Sequence, residues 1–295
     1  MDTALTAVFL PLALACIMLG LGLSLTVADF RRVRRSPRAV VVALVCQLMV
    51  LPVICFGLVI AFDLPPVLAV GMMLLAASPG GTTANLFSHL FRGDVALNVS
   101  LTALNSVIAV FTLPLVTNLA IDHFRPAGAG LVGLQIGRVA QVFAIVLVPV
   151  VLGMLVRARA ARFADRMDRP VRIGSALVLS LIIVGTMVSE RDNLVEYFAD
   201  LGPVAVVFCL VSVTLGYAVP RALGVGASQS IATSMEIGIH NSTLAITVAI
   251  SVLGSVELAV PAAVYSIAMF VVAPVFGVVV SQRGSGERAP LGAVA

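Results

Sequence analysis

Apolar residues run along this chain in blocks of roughly 20, each closed by a short cluster of arginine, aspartate, proline or glycine. Coiled as α-helix, a block of that length matches the roughly 30 Å hydrocarbon core of a bilayer. Nine such spans are predicted, at residues 4–27, 39–62, 66–91, 95–120, 130–156, 171–188, 203–223, 227–253 and 258–280. The remainder, 281–295, is polar and Gly-containing and predicts a disordered tail. The expected fold class is an all-α membrane protein of about nine transmembrane helices.

Composition sharpens this picture. Hydrophobic residues make up 60% of the chain and charged residues 11%, against roughly 25% charged in a soluble domain, so there is too little charge to hydrate a globular surface. All 18 basic residues are arginines, and apart from Arg138 within the fifth span they lie in loops or at span ends rather than along one face or an aromatic groove. That placement argues against a nucleic-acid partner and reads instead as a topology signal. One set of loops carries Arg31, Arg32, Arg34, Arg35 and Arg38, then Arg92, the run from Arg157 to Arg172, Arg221, Arg283 and Arg288. The opposite set carries Arg125 and Arg191, together with Glu190, Asp192, Glu196 and Asp200. The Arg-rich side is expected in the cytoplasm of an inner or plasma membrane, with the N-terminus outside and the C-terminus inside. The chain begins Met-Asp without a basic region, which predicts a retained first span rather than a cleaved signal. Cys16, Cys46, Cys55 and Cys209 fall inside apolar spans without CxxC spacing and read as packing residues.

Two spans are interrupted. The third contains Ser78-Pro79-Gly80-Gly81-Thr82-Thr83-Ala84-Asn85, where a proline removes an amide hydrogen and two glycines relax the backbone. The eighth contains Glu236-Ile237-Gly238-Ile239-His240-Asn241-Ser242-Thr243, a polar cluster without proline. The first is third among spans 1–4, the second third among spans 6–9, and the topology runs them in opposite directions. An inverted repeat with two crossing discontinuous helices is expected. Such pairs mark a midplane binding site in secondary transporters, because broken backbone is tolerated in lipid only where it lines a cavity.

Glu236 is the acidic residue, of 14, that lies deep inside a span. A carboxylate there costs roughly 2.5–3.5 kcal/mol on insertion scales, and a bound cation is a natural partner. The alternatives are a protonated acid or a pair with Arg138 of the fifth span. Asn85, Asn98, Thr102 and carbonyls freed near Ile237 and Ile239 offer oxygens that suit Na⁺ rather than a transition metal. Asn98 and Thr102, four apart, share a helix face; taken alone they read as interhelical hydrogen-bonding groups. His240 is open between proton shuttle, ligand and hydrogen-bonding partner, and Gln47 between the same cavity and packing. No HExxH, nucleotide loop or Ser/His/Asp set is present, so nothing points to an enzyme. A passive channel leaves a buried carboxylate between broken helices unexplained.

The stretches SPGGTTANLFSHLFRGDVALNVSLT (78–102), EIGIHNSTLAITVA (236–249) and IMLGLGLSLTVADFRRVRRSPRAVVVALVCQLMVLP (17–52) resemble the bile acid:sodium symporter family. The resemblance implies Na⁺-coupled uptake of an organic anion, bile-acid-like or another carboxylate or sulfonate, by alternating access. It implies a core domain at 39–120 and 203–280, moving against a panel domain at 4–27 and 130–188. One Na⁺ site would use Asn85, Asn98, Thr102 and Glu236. A second would use Gln47, Glu236, His240 and the carbonyls of Ile237 and Ile239. Thr82, Asn241 and Ser242 at the crossing would meet the substrate. The chain departs from the family pattern at Ala84, where a related site has a hydroxyl, at Asn98, which replaces serine, and at His240, which replaces glutamine. The last departure supplies the alternative: a proton-coupled carrier or exchanger using Glu236 and His240.

Overall fold

The computed structural model describes residues 33–126, 136–167 and 194–286 continuously, with isolated positions between 15 and 31 and between 170 and 177. Among the described residues every regular element is helical: α1 (Pro37–Ala61), α2 (Pro66–Ala76), α3 (Thr82–Leu90), α4 (Val95–Phe124), α5 (Ile136–Arg159), α6 (Leu194–Ala222), α7 (Ala227–Gly238), α8 (Ser242–Ser251) and α9 (Val260–Gly286). Four helical stretches there are long and apolar enough to cross a membrane: Pro37–Ala61, Val95–Phe124, Phe198–Ala222 and Glu257–Gln282. The first span, 4–27, and the sixth, 171–188, lie outside the described residues apart from isolated positions.

The outward-facing side chains are largely apolar, unlike those of a soluble protein. Val53 is 70% exposed, and Phe111, Leu119 and Val275 are also outward. Asn98, Ser100, Thr102, Asn105, Ser212, Thr233, Ser234 and Glu236 are buried. An apolar exterior around a largely apolar core that also encloses polar and acidic side chains is the arrangement of a protein dissolved in lipid. Several interior hydroxyls bond back to their own helix, as Ser100 does on the Ala96 carbonyl and Ser212 on that of Phe208.

The two interrupted spans are broken as expected. The third divides into α2 and α3, the eighth into α7 and α8. At 9–12 residues each, these half-helices reach only about 14–18 Å. The breaks pair with one another. Gly81 N–H donates to the Ile239 carbonyl and Asn241 N–H to the Pro79 carbonyl, both at 2.8 Å, with Gly80 opposite His240 in an antiparallel bridge. Exchanging 79–81 with 239–241 maps this pattern onto itself. Amides and carbonyls freed by one break are thus satisfied by the other.

Several boundaries differ from the expectation. Span 7 was expected to begin at Pro203, but α6 begins at Leu194 and carries Glu196, Asp200 and Pro203 within it; acidic residues at the membrane edge extend a helix as readily as they end it. Span 4 continues past residue 120 to Phe124, where Arg125 adopts the left-handed conformation (φ 44°) before Pro126. The tail was expected to be disordered from Ser281, yet α9 continues to Gly286. Within α1, residues Cys46–Val50 form a wider π turn, with Leu51 N–H bonded to the Cys46 carbonyl. Pro52 follows at once and has no N–H for the α-helical bond, which accounts for the widening. Close approach is built into α6 against α7: a Cβ on Gly216 would lie 2.7 Å from Ser234 Cα, and Ser234 Oγ donates to the Val213 carbonyl at 2.6 Å.

Candidate functional site

Glu236 lies near the C-terminal end of α7, and no part of it reaches the surface. Its carboxylate is held by three donors from two other elements. Thr102 Oγ1 donates to Oε2 at 2.6 Å, Asn105 Nδ2 donates to Oε1 at 3.1 Å, and the Gly80 amide adds a backbone bond. Thr102 Oγ1 is also 3.1 Å from the Asn98 carbonyl; its one proton goes to the shorter, charge-assisted contact. One turn back, Asn98 Nδ2 donates to the Ala232 carbonyl at 2.7 Å. Asn98, Thr102 and Asn105 therefore form a polar stripe on α4 that zips against α7. All of the observed partners are neutral; the Arg138 side chain lies outside the described residues.

Several buried amide oxygens have no donor among the described residues. Gln47 Oε1, Asn85 Oδ1, Asn98 Oδ1 and Asn105 Oδ1 are all enclosed and unpartnered. A buried acceptor without a donor is costly and calls for a ligand. Amide and carboxylate oxygens without spare protons fit a hard monovalent cation. The sequence-predicted residues fall into place unevenly. Thr102 and Glu236 touch, with Asn98 one helical turn away. Gln47, in the π turn, donates from Nε2 to the Ser78 carbonyl at 3.0 Å, and His240 Nδ1 faces the same carbonyl at 3.3 Å. Asn85 makes no hydrogen bond to any of them. Ile237 and Ile239 are buried, and the Ile239 carbonyl already accepts from Gly81. Asn241 caps α8 by accepting from Leu244 N–H at 3.1 Å, and Ser242 Oγ is buried and unpartnered. The Thr82 side chain lies outside the described residues, but its backbone opens α3. The N-termini of α3 and α8 both start at the crossing, where their amides favour a negative ligand group.

His240 is held by packing as well as by its hydrogen bond. Its ring stacks on Phe208 (centroids 5.6 Å apart, 16°) and meets Tyr265 edge-on at 5.4 Å. Because Nδ1 faces a carbonyl, it carries the proton, leaving Nε2 as a buried lone pair without a partner. Tyr265 in turn donates to the last carbonyl of α7, that of Gly238, at 2.8 Å. Tyr265→Phe is expected to lower stability by about 1–2 kcal/mol, because that buried carbonyl would keep only the weak Cys209 thiol contact at 3.9 Å. A thermal melt of the purified variant measures it, and an unchanged melting temperature would show that the bond is dispensable.

Sequence reasoning missed Asn105, Ser78 and Tyr265. Asn105 had a readable signal, since 98, 102 and 105 continue one helical face. The Ser78 carbonyl and Tyr265 had none, because their roles arise from tertiary contacts.

Comparison with known proteins identifies the family. The model of the Sodium Bile acid symporter family matches residues 11–197. A Bacillus subtilis protein described as an uncharacterized sodium-dependent transporter, YocS, is 27% identical over 88% of this chain and 78% of its own length. The Arabidopsis thaliana chloroplast protein BASS1, a probable sodium/metabolite cotransporter, is 29% identical over 85% of this chain. The chain spans 61% of that plant protein. The ileal sodium/bile acid cotransporter of Oryctolagus cuniculus is 25% identical over 81% of this chain and 68% of its own length. These are transporters rather than enzymes. With a family model covering well over half of the chain, and a multi-pass helical architecture around paired helix breaks, the chain belongs to the sodium bile acid symporter family.

Proposed function

We propose that the chain is a secondary active transporter that couples Na⁺ entry to symport of a small organic anion by alternating access. The observation that carries this is the buried Glu236 carboxylate, set beside the paired breaks and ringed by neutral donors. Na⁺ would be taken by Glu236 with Thr102, Asn98 and Asn85, and a second ion by Gln47, His240 and Glu236 with the carbonyls of Ile237 and Ile239. The donor-free oxygens of Gln47, Asn85 and Asn98 support that assignment, as do the sodium-dependent relatives. The substrate's negative group would meet the starts of α3 and α8, near Thr82, Asn241 and Ser242. The exchange symmetry of 79–81 with 239–241 supports an inverted repeat within nine spans. A core of 39–120 and 203–280 would rock against a panel of 4–27 and 130–188, with the N-terminus outside and the C-terminus in the cytoplasm.

Purified protein in liposomes tests the coupling. Uptake of labelled organic anions, carboxylates and sulfonates among them, is expected to rise at least about tenfold when external choline is replaced by Na⁺, as coupling to a gradient requires. Equal rates in the two salts would reject Na⁺ coupling. Uptake driven by an imposed pH gradient without Na⁺ would favour instead the proton-coupled alternative built on Glu236 and His240.

A further inference from the structure

Asn105 presents a conflict that packing alone does not resolve. It is 1% exposed, and its amide has a donor end and an acceptor end. The donor end lies on Glu236 Oε1 at 3.1 Å, while Oδ1 is buried with no donor at all. A purely structural amide in a membrane interior settles where both ends are satisfied. Here the acceptor end is left unmet so that the NH₂ group can stay on the carboxylate. Thr102 occupies the other carboxylate oxygen, and the Gly80 amide adds the third donor. Together these donors do for the carboxylate what a cation would do, with one difference. Gly80 N–H is fixed in the backbone, and the Thr102 hydroxyl can rotate its proton away while its oxygen stays in place. The Asn105 NH₂ can leave Oε1 only by turning the whole amide.

We propose that Asn105 is the release element of the cation site: its NH₂ group competes with the bound cation for Glu236 Oε1 and stabilises the unloaded carrier. The proposal rests on the Na⁺ assignment given above and adds a residue that the symporter reading did not include. A carrier must return empty after delivering its cargo, and a bare carboxylate at that depth would hold its cation too long. A neutral donor close to Oε1 gives the empty form a populated state without adding charge. The competition makes a signed prediction. Removing a cation ligand weakens Na⁺ binding, and removing a packing group leaves binding unchanged, but removing a competitor tightens it.

The experiment is a Na⁺ titration of the melting temperature of detergent-solubilised protein, at about pH 9 so that protons compete little for the carboxylate. It uses the wild type, Asn105→Leu, Asn105→Ala and Asn105→Thr, alongside maximal uptake rates in liposomes. Leu and Ala are expected to lower the Na⁺ midpoint by about tenfold or more, on the scale of one hydrogen bond to a charged group, while the maximal uptake rate falls. Thr keeps a hydroxyl donor and is expected to stay within about threefold of the wild type. If the Leu variant does not fold, Ala set against Thr decides. A midpoint that rises or does not move in Ala, or a Thr variant that behaves like Ala, overturns the proposal. A wild type whose melting temperature ignores Na⁺ would overturn the Na⁺ assignment itself, a distinct result.

Discussion

Glu236→Gln is expected to abolish Na⁺-stimulated uptake while leaving a folded protein. The carboxylate is fully buried, and its neighbours are hydroxyl, amide and backbone groups. Glutamine keeps the volume and one oxygen. Its new NH₂ group would displace one donor, and both side-chain donors can adapt. The Asn105 amide can turn its unpartnered oxygen toward it, and the Thr102 hydroxyl can rotate its proton to the Asn98 carbonyl 3.1 Å away. Stability is therefore expected to change by no more than about 1–2 kcal/mol. The cation has no such alternative. A unit charge about 4 Å from a monovalent ion contributes about 4 kcal/mol at an effective dielectric near 20, roughly a thousandfold in affinity. The variant should melt near the wild-type temperature and take up substrate equally in Na⁺ and in choline. Retained Na⁺ stimulation would remove Glu236 from the coupling site.

Gly80→Ala is expected to be nearly as damaging, whereas Gly81→Ala is tolerated. A Cβ on Gly80 would collide with the carbon and both oxygens of the Glu236 carboxylate. Relief requires either moving Glu236 away from Thr102 and Asn105 or opening the bridge to His240. Overpacking of this kind costs about 1–3 kcal/mol, and here the displaced group is the charge itself, so Na⁺-coupled uptake is expected to fall to about a hundredth or less. At Gly81 the nearest atoms to a Cβ are the His240 carbonyl oxygen and Thr83 Oγ1, both 3.4 Å away, and its φ of −86° suits any residue. Adjacent glycines with opposite tolerance distinguish a steric fit to Glu236 from a general need for flexibility at the break. Equal loss in the two variants, measured as uptake and as melting temperature, would argue for flexibility.

Much of this was legible in the chain because a membrane reverses the usual cost of polarity. Glu236 stands out in sequence for the same reason that it is functional: a carboxylate in an apolar span has to be compensated. The break at Pro79-Gly80-Gly81 is local chemistry, and the structure shows it where it was expected. The break at 239–241 carries no proline; its geometry is completed by the other break across the antiparallel bridge, which no local pattern encodes. Helix ends were harder to read. Pro203 suggests a start yet lies inside α6, and the π turn holding Gln47 follows from Pro52 only once the helix is seen to continue through it. Asn105 was overlooked although it lies three residues beyond Thr102 on the same face, because asparagine in a span is read first as a helix-packing group. The substrate leaves no such trace, since the crossing offers backbone amides and small polar groups that suit many anions.

Direct binding of radioactive sodium to the purified protein, compared between the wild type and Glu236→Gln at matched melting temperature, bears on the centre of the account. Saturable binding by the wild type that is lost in the variant is the predicted result. Saturable binding with the same midpoint in both would place the cation elsewhere and contradict it.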